Sequence, residues 1–210
     1  GSKAVMSHTG ALSGKKEVFF GIFNQTGVIH AESLEEMFDI ASLFENLPPF
    51  KGNKIQVITN GGGYGILSTD LIALSSHLEM AVLSQDTQKN LRKHLPPLVN
   101  IHNPLDLIGD ATTERYRIAL ESCMNDKNSD ILMVIILYQT PLLTKDIIGV
   151  IIQSKETGKK PLFVVSTGGE FTHQLSKRLQ EKSIPVFSYP ENVIKALDKT
   201  VWYYGKRKLI

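Results

Sequence analysis

The stretch Ile55-Gln56-Val57-Ile58-Thr59-Asn60-Gly61-Gly62-Gly63-Tyr64-Gly65 decides the fold. Ile55 to Ile58 reads as a buried strand. Tyr64 opens a helix to Ser76, with Leu67, Leu71 and Leu74 expected to face inward. A strand that meets a helix through a few glycines is the first half of a parallel crossover.

The same alternation repeats downstream. Met80 to Val82 is a brief strand and Gln85 to His94 a polar helix. Asn103-Pro104-Leu105-Asp106 reads as an irregular turn and Glu114 to Met124 as a helix. Ile131 to Leu137 is continuously apolar, as in a strand covered on both faces. Helix Thr144 to Lys155, strand Leu162 to Ser166, helix Glu170 to Lys182, strand Pro185 to Phe187 and helix Glu191 to Tyr203 complete the pattern. Residues 53–205 therefore suit a doubly wound α/β domain, flavodoxin-like, with five or so parallel strands.

Upstream, Pro48-Pro49-Phe50-Lys51-Gly52-Asn53 breaks both helix and strand and marks the best boundary. Before it, Lys15 to Asn24 is helical and Val28 to Ala31 a short strand. In Ser33-Leu34-Glu35-Glu36 the hydroxyl and the second carboxylate form a capping box. Leu34, Met37, Phe38, Ala41 and Phe44 then mark one apolar helix face. Residues 1–48 hold too few strands to close a core, so they are expected to be the tail of a domain whose front lies elsewhere.

Composition excludes several classes. Of 210 residues, 42% are hydrophobic and 21% charged, which is ordinary globular usage. Lys and Arg number 23 against 21 Asp and Glu, a net charge of +2 that offers no long-range field for nucleic acid or an acidic membrane. No apolar run approaches the ~20 residues that span a bilayer. The single cysteine, Cys123, forbids an internal disulfide or a cysteine zinc cage and reads as a small core residue. No metal site is expected, and a reducing cytoplasmic setting is.

Ligands of such sheets bind beyond the carboxyl ends of the strands, beside helix N-termini. Thr59 to Gly65 holds four glycines in five positions, letting backbone approach a phosphate or carboxylate; the plainer alternative is turn geometry alone. The loop lacks the Lys-Ser/Thr of a P-loop, and Ile66 stands where a dinucleotide fingerprint needs its last glycine. Tyr138-Gln139-Thr140-Pro141 and Ser166-Thr167-Gly168-Gly169 are two further loops, with Thr140 and Pro141 placed to start a helix. Asp106 and Asp110 flank a turn; Asp110 suits a helix cap and Asp106 could orient a loop or a partner residue. The sharpest feature is Ser7-His8-Thr9-Gly10-Ala11, a histidine among small residues that leave room for a bulky group on the ring. Neutral imidazole is a nucleophile near pH 7 and can accept a phosphoryl group without a further base. A loop histidine that only caps or binds water is the alternative. His30, His77, His94, His102 and His173 show no metal-type pairing with one another and read as surface or interface residues.

Ser7 to Gly14, Gly27-Val28-Ile29, Ser33 to Asp39, Ile58 to Gly65 and Asn103 to Ala111, in that order, resemble the ADP-forming (NDP-forming) acyl-CoA synthetases, relatives of succinyl-CoA synthetase. The resemblance covers nearly the whole chain. It implies a C-terminal part of an α-type subunit: an incomplete ligase domain in 1–48 and a second, succinyl-CoA synthetase-like ligase domain in 53–205. The implied reaction turns acyl-CoA, ADP and phosphate into acid, CoA and ATP through a phosphohistidine. His8 matches the carrier, supported by Ser7, Thr9, Gly10 and Ala11. Asn60 with Gly61, Gly62 and Gly63 matches a loop near the acyl and phosphate groups. Gln139, Thr140 and Pro141, with Leu142, fall where a helix would aim its N-terminus at the phosphohistidine, although that loop departs from the family pattern. The implied partners are an ATP-grasp nucleotide-binding domain or β-type subunit, a CoA-binding domain and a small carboxylic acid or acyl-CoA. CoA, ADP/ATP, phosphate and Mg would be substrates or ions of the complete enzyme, none held tightly here. The rival expectation is a non-catalytic ligand-sensing module of the same fold that regulates an attached enzyme such as a protein acetyltransferase.

Overall fold

The computed structural model describes residues 15–207. Two helices, α1 (Lys16–Thr26) and α2 (Leu34–Asn46), precede β1 (Lys54–Thr59) and α3 (Gly62–Leu74). Then come β2 (Glu79–Met80), α4 (Gln85–His94), β3 (Leu105–Asp106), α5 (Thr113–Asn125), β4 (Ile131–Ile135) and α6 (Ile147–Glu156). The chain ends with β5 (Leu162–Val165), α7 (Glu170–Gln180), β6 (Val186–Phe187) and α8 (Pro190–Arg207).

The strands form one parallel sheet in the order β2-β1-β4-β5-β6, with β3 also paired to β1. Asn103 to Asp106 is thus not merely a turn. β2 pairs with the start of β1 and β3 with its end. The gap between them is filled by a side chain. Val57 N–H donates to Asn103 Oδ1 at 3.0 Å, and Asn103 Nδ2 donates to the Ile55 and Ala81 carbonyls at 2.7 and 2.9 Å. An amide carries a carbonyl and an N–H in the same pairing sense as a peptide, so it splices two short strands into one edge.

Alternation along the strands builds two cores. Ile131, Met133 and Ile135 join Ile55, Val57, Phe163 and Val165 on the face covered by α2, α3 and α8. Leu132 and Val134 join Ile58, Leu162 and Val164 on the face covered by α4, α5, α6 and α7. Gly52 closes the boundary turn at φ +87°, where a Cβ would collide with the Asp130 carboxylate. Asp130 Oδ2 there accepts from Asn53 N–H and Lys54 N–H, both at 3.0 Å.

Several helices turn differently from expectation. α2 is apolar on two sides, and packing chooses the other one. Ile40 and Leu43 are buried with α8, while Leu34, Met37 and Phe38 are exposed. The capping box holds in modified form: Ser33 Oγ accepts from Glu36 N–H at 3.1 Å, and the Glu36 carboxylate accepts from Glu32 N–H and pairs with Lys199. α3 buries Gly65, Ser68 and Ile72, not a leucine face, and Leu74 is 84% exposed. Small residues win because the helix lies close on β1: a Cβ at Gly65 would stand 3.1 Å from the Thr59 methyl. Among the described residues, Val28 to Ala31 pairs with no strand. α6 begins at Ile147, not at Pro141 or Thr144, because the preceding residues form successive turns from Leu137 to Ile147. Cys123 is fully buried, and burial pushes its thiol up to about 12, so it is an inert core residue.

Candidate functional site

Chain order along the sheet reverses between β1 and β4, and the carboxyl edge at this switch point is where such folds open a crevice. Here Asn60, 3% exposed, spans it. Its Nδ2 donates to the Leu137 carbonyl and to Thr140 Oγ1, both at 3.1 Å, and its Oδ1 accepts from Leu137 N–H at 2.9 Å. The bridging continues across the edge. Gln139 Nε2 donates to the Thr167 carbonyl at 2.9 Å, the Ser166 hydroxyl donates to the Ile136 carbonyl at 2.7 Å, and the Thr167 hydroxyl donates to the Ser188 carbonyl. A belt of side-chain bonds therefore ties the loops after β1, β4, β5 and β6 to one another. Asn60 and Gln139 are part of this belt, with their amides engaged by protein.

The glycine loop supplies what Asn60 does not. Gly61 is the N-cap of α3 and has no side chain to satisfy the helix end. Its N–H donates to Thr59 Oγ1 at 2.9 Å, and the helical ladder begins with Gly65 N–H on the Gly61 carbonyl at 3.2 Å. Among the described residues, the N–H groups of Gly62, Gly63 and Tyr64 are thus the donors of the first turn without an acceptor. A Cβ at Gly61 would lie 2.6 Å from Leu137 Cδ1, one at Gly62 2.9 Å from Asp106 Oδ2, and one at Gly63 would meet nothing within 4 Å. The open approach to the helix end is over Gly63. Asp106 is fixed beside Gly62, with Oδ1 accepting from Ile108 N–H at 2.9 Å. Ile108 itself sits at φ +60°, a strained conformation for a β-branched residue.

Asp110 does not cap α5. Thr112 does, accepting from Arg115 N–H at 3.3 Å, and Asp110 is paired with Arg115 at 2.5 Å, which holds its carboxyl below the usual range. Arg115 Nη1 also donates to the Leu107 carbonyl at 3.1 Å, pinning the loop that carries Asp106. Thr140 caps no helix: its hydroxyl donates to the Leu137 carbonyl at 3.1 Å. Pro141 and Leu142 form an exposed tip. The belt partners Thr167 and Ser188 were not apparent as such in the sequence, where a Ser or Thr after a strand says nothing of which loop it joins.

His8, Ser7, Thr9, Gly10 and Ala11 lie outside the described residues. Among the described residues, no group of three or more His, Cys, Asp or Glu is arranged to hold a metal, and no helix is long and apolar enough to cross a membrane. His77 Nδ1 pairs with Asp198 at 3.2 Å, and His30 lies edge-on to Phe20.

Residues 1–44 match the succinyl-CoA ligase like flavodoxin domain, and residues 55–207 match the ligase-CoA domain. The chain is 34% identical over 200 residues to the alpha subunit of acetate–CoA ligase [ADP-forming] II of Pyrococcus furiosus, covering 93% of this chain and 43% of that one. It is 38% identical over 207 residues to acetate–CoA ligase [ADP-forming] of Methanocaldococcus jannaschii, covering 97% of this chain and 29% of that one. Among solved structures, the dinucleotide forming acetyl-coenzyme A synthetase 1 of Ca. Korarchaeum cryptofilum, in complex with phosphate and ADP, superposes with a TM-score of 0.90 at 28% identity, over 99% of this chain and 45% of that one. The chain thus spans less than half the length of these relatives. With a ligase-CoA domain over most of its length and a parallel flavodoxin-like sheet to match, it belongs to the succinyl-CoA synthetase-like CoA-ligase family.

Proposed function

We propose that this chain is the phosphoryl-carrying portion of an ADP-forming acyl-CoA synthetase, with His8 as the carrier and the α3 N-terminus as one of its stations. In the complete enzyme phosphate would displace CoA from the acyl-CoA, giving an acyl phosphate. An unprotonated ring nitrogen of His8 then attacks phosphorus. The N–P bond forms, the P–O bond to the acyl group breaks, and the carboxylate leaves. A terminal phosphate oxygen of ADP then attacks the same phosphorus: the new P–O bond forms, the N–P bond breaks, and ATP leaves with the imidazole restored. Nucleotide and Mg belong, in this reading, to an ATP-grasp partner, and CoA to a separate CoA-binding domain.

The observation that carries the reading is the ordered pair of family matches, the first of which contains Ser7 to Ala11. The glycine-led end of α3 supports it. Three free N–H groups and a helix dipole offer a phosphoryl group donors that need no reorganisation. In this reading Asn60, Gln139 and Thr140 hold that end in place through the belt.

The test supplies the full-length protein and its nucleotide-binding partner with ATP labelled on the γ-phosphate. Acid-labile, base-stable phosphate on the wild type, and none on His8→Ala with an unchanged melting curve, are expected. Label that persists in His8→Ala, or that never appears in the wild type, overturns the assignment.

A further inference from the structure

The segment between α1 and α2 has the marks of a strand without a sheet. Along residues 28–31, Val28 and His30 are exposed while Ile29 and Ala31 are half-buried, the period of two of a strand. Val28 N–H donates to the Phe23 carbonyl at 2.9 Å, closing the end of α1, and the His30 carbonyl accepts from Lys199 Nζ at 2.8 Å. Among the described residues, the N–H groups of Ile29, His30 and Ala31 have no acceptor. We propose that residues 28–31 pair as a strand with a parallel sheet outside the described residues, and that the outward faces of α1 and α2 lie on that sheet.

Water alone would satisfy three N–H groups on a loop. It does not account for the two helices that flank them. α1 has no buried residue: Val18, Phe19 and Ile22 share an exposed face, while Phe20 and Phe23 turn toward His30. On α2, Ile40 and Leu43 are buried with α8, while Leu34, Met37 and Phe38 are 73%, 46% and 66% exposed on the far side. Both helices are therefore apolar on two sides, the pattern of a helix held between layers. An exposed apolar set of this size marks an interaction face. Helix, strand, helix is the unit from which a parallel sheet is built, and it cannot bury its apolar side without neighbouring strands. The family match names the occupant. Residues 1–44 match the succinyl-CoA ligase like flavodoxin domain, yet the described part of that match holds two helices and no paired strand. The sheet is assigned to the rest of that domain, on a longer polypeptide like the relatives, of whose length this chain spans less than half. α2 then gives one face to each of two cores. The role proposed for His8 plays no part in this.

The experiment follows hydrogen exchange at the Ile29, His30 and Ala31 amides in the 210-residue chain and in the full-length protein that carries the rest of the domain. Exchange near the unprotected rate in the chain alone, and at least about a hundredfold slower in the full-length protein, is expected. Phe38→Gln and Ile22→Gln change exposed residues, so the melting curve of the 210-residue chain should not move. In the full-length protein each should cut the protection about tenfold. Protection already present in the dilute 210-residue chain would place the pairing within it, and protection that grows with its concentration would make a second copy the occupant. No protection in the full-length protein would leave the segment a loop. Each of these overturns the inference, as does undiminished protection in both variants.

Discussion

Replacing Asn60 with alanine should loosen the carboxyl edge at a definable cost. The substitution removes three hydrogen bonds, to Leu137 N–H, the Leu137 carbonyl and Thr140 Oγ1. The Leu137 carbonyl still accepts from the Thr140 hydroxyl at 3.1 Å. The Leu137 N–H is left with no acceptor. An orphaned buried donor costs about 1–3 kcal/mol, and each net bond lost about 1 more. The sum is about 3–5 kcal/mol, or a fall in Tm of roughly 6–20 °C for a chain of this size. Asn60→Asp separates hydrogen bonding from shape. Ionised, the new carboxylate would face the Leu137 carbonyl from a site 3% exposed, so burial would raise its pKa in the folded state. A raised folded pKa means stability present below the unfolded value near 3.9 and lost as pH rises through the folded value. Asn60→Asp should therefore come nearest to wild type in acid and fall behind it at pH 7. Thermal melts from pH 3.5 to 7.5 measure this, and hydrogen exchange at the Leu137 amide reports the local opening. A Tm within about 2 °C of wild type for Asn60→Ala, with the Leu137 amide still protected, would refute the reasoning.

Two further outcomes follow from buried charge. Lys160 Nζ donates to the Cys123 carbonyl and Ser129 Oγ, both at 2.7 Å, and to the Asp126 carbonyl, so it caps the end of α5. Lys160→Met keeps the stem and removes those bonds. It should lower stability by about 2–3 kcal/mol in urea titration, and an unchanged midpoint would count against the cap. For Glu36, burial raises the carboxyl, but the hydrogen bonds from Lys199 and Glu32 N–H outweigh it and the net shift is downward. A depressed folded pKa gives stability present above the unfolded value of about 4.5 and lost as pH falls through the folded one. Wild type should lose the α2–α8 contact below about pH 4.5, and Glu36→Gln should lack that step. Asp39, raised by burial and then by Glu35 and Glu36, pulls with the opposite sign; because part of that rise leaves with the Glu36 charge, the comparison isolates Glu36 when both proteins also carry Asp39→Asn.

What was legible in the sequence was what is local. β4 and β5 are continuous apolar runs because the sheet is covered on both faces, β1 is apolar except for its buried Gln56 and its ends, and each helix with a Ser or Thr cap was expected within a few residues of its true start. The misreadings share a cause. β3 is two residues long, too short for any period, and its continuity with β2 comes from the side chain of Asn103, which no propensity describes. α2 is apolar on two sides, and only the position of α8 decides which is buried. Thr140-Pro141 carries a helix-start signal, yet Thr140 is held by Asn60, which lies 80 residues away in sequence, and Gln139 is drawn to Thr167. The glycine loop was recognisable as a place of close approach. That Asn60 would be spent on closing the switch point was not, because its partners belong to another strand.

The belt also bears on which part of a phosphoryl relay can move. It joins four loops across the sheet, so the N–H groups of Gly62 to Tyr64 keep their place relative to the loops after β4 and β5. Residues 60–64, 137–142 and 166–169 contain no Lys or Arg. A receiving end made of backbone donors and helix dipole, opposed by the Asp106 carboxylate beside it, holds a phosphoryl group less tightly than a cluster of cations would. Such an end is suited to passing the group on, since tight ground-state binding would deepen the well from which it must leave. The belt and the cation-free helix end are then two parts of one proposal: the cross-linked loops hold the backbone donors in place, and the fixed donors set the geometry of transfer.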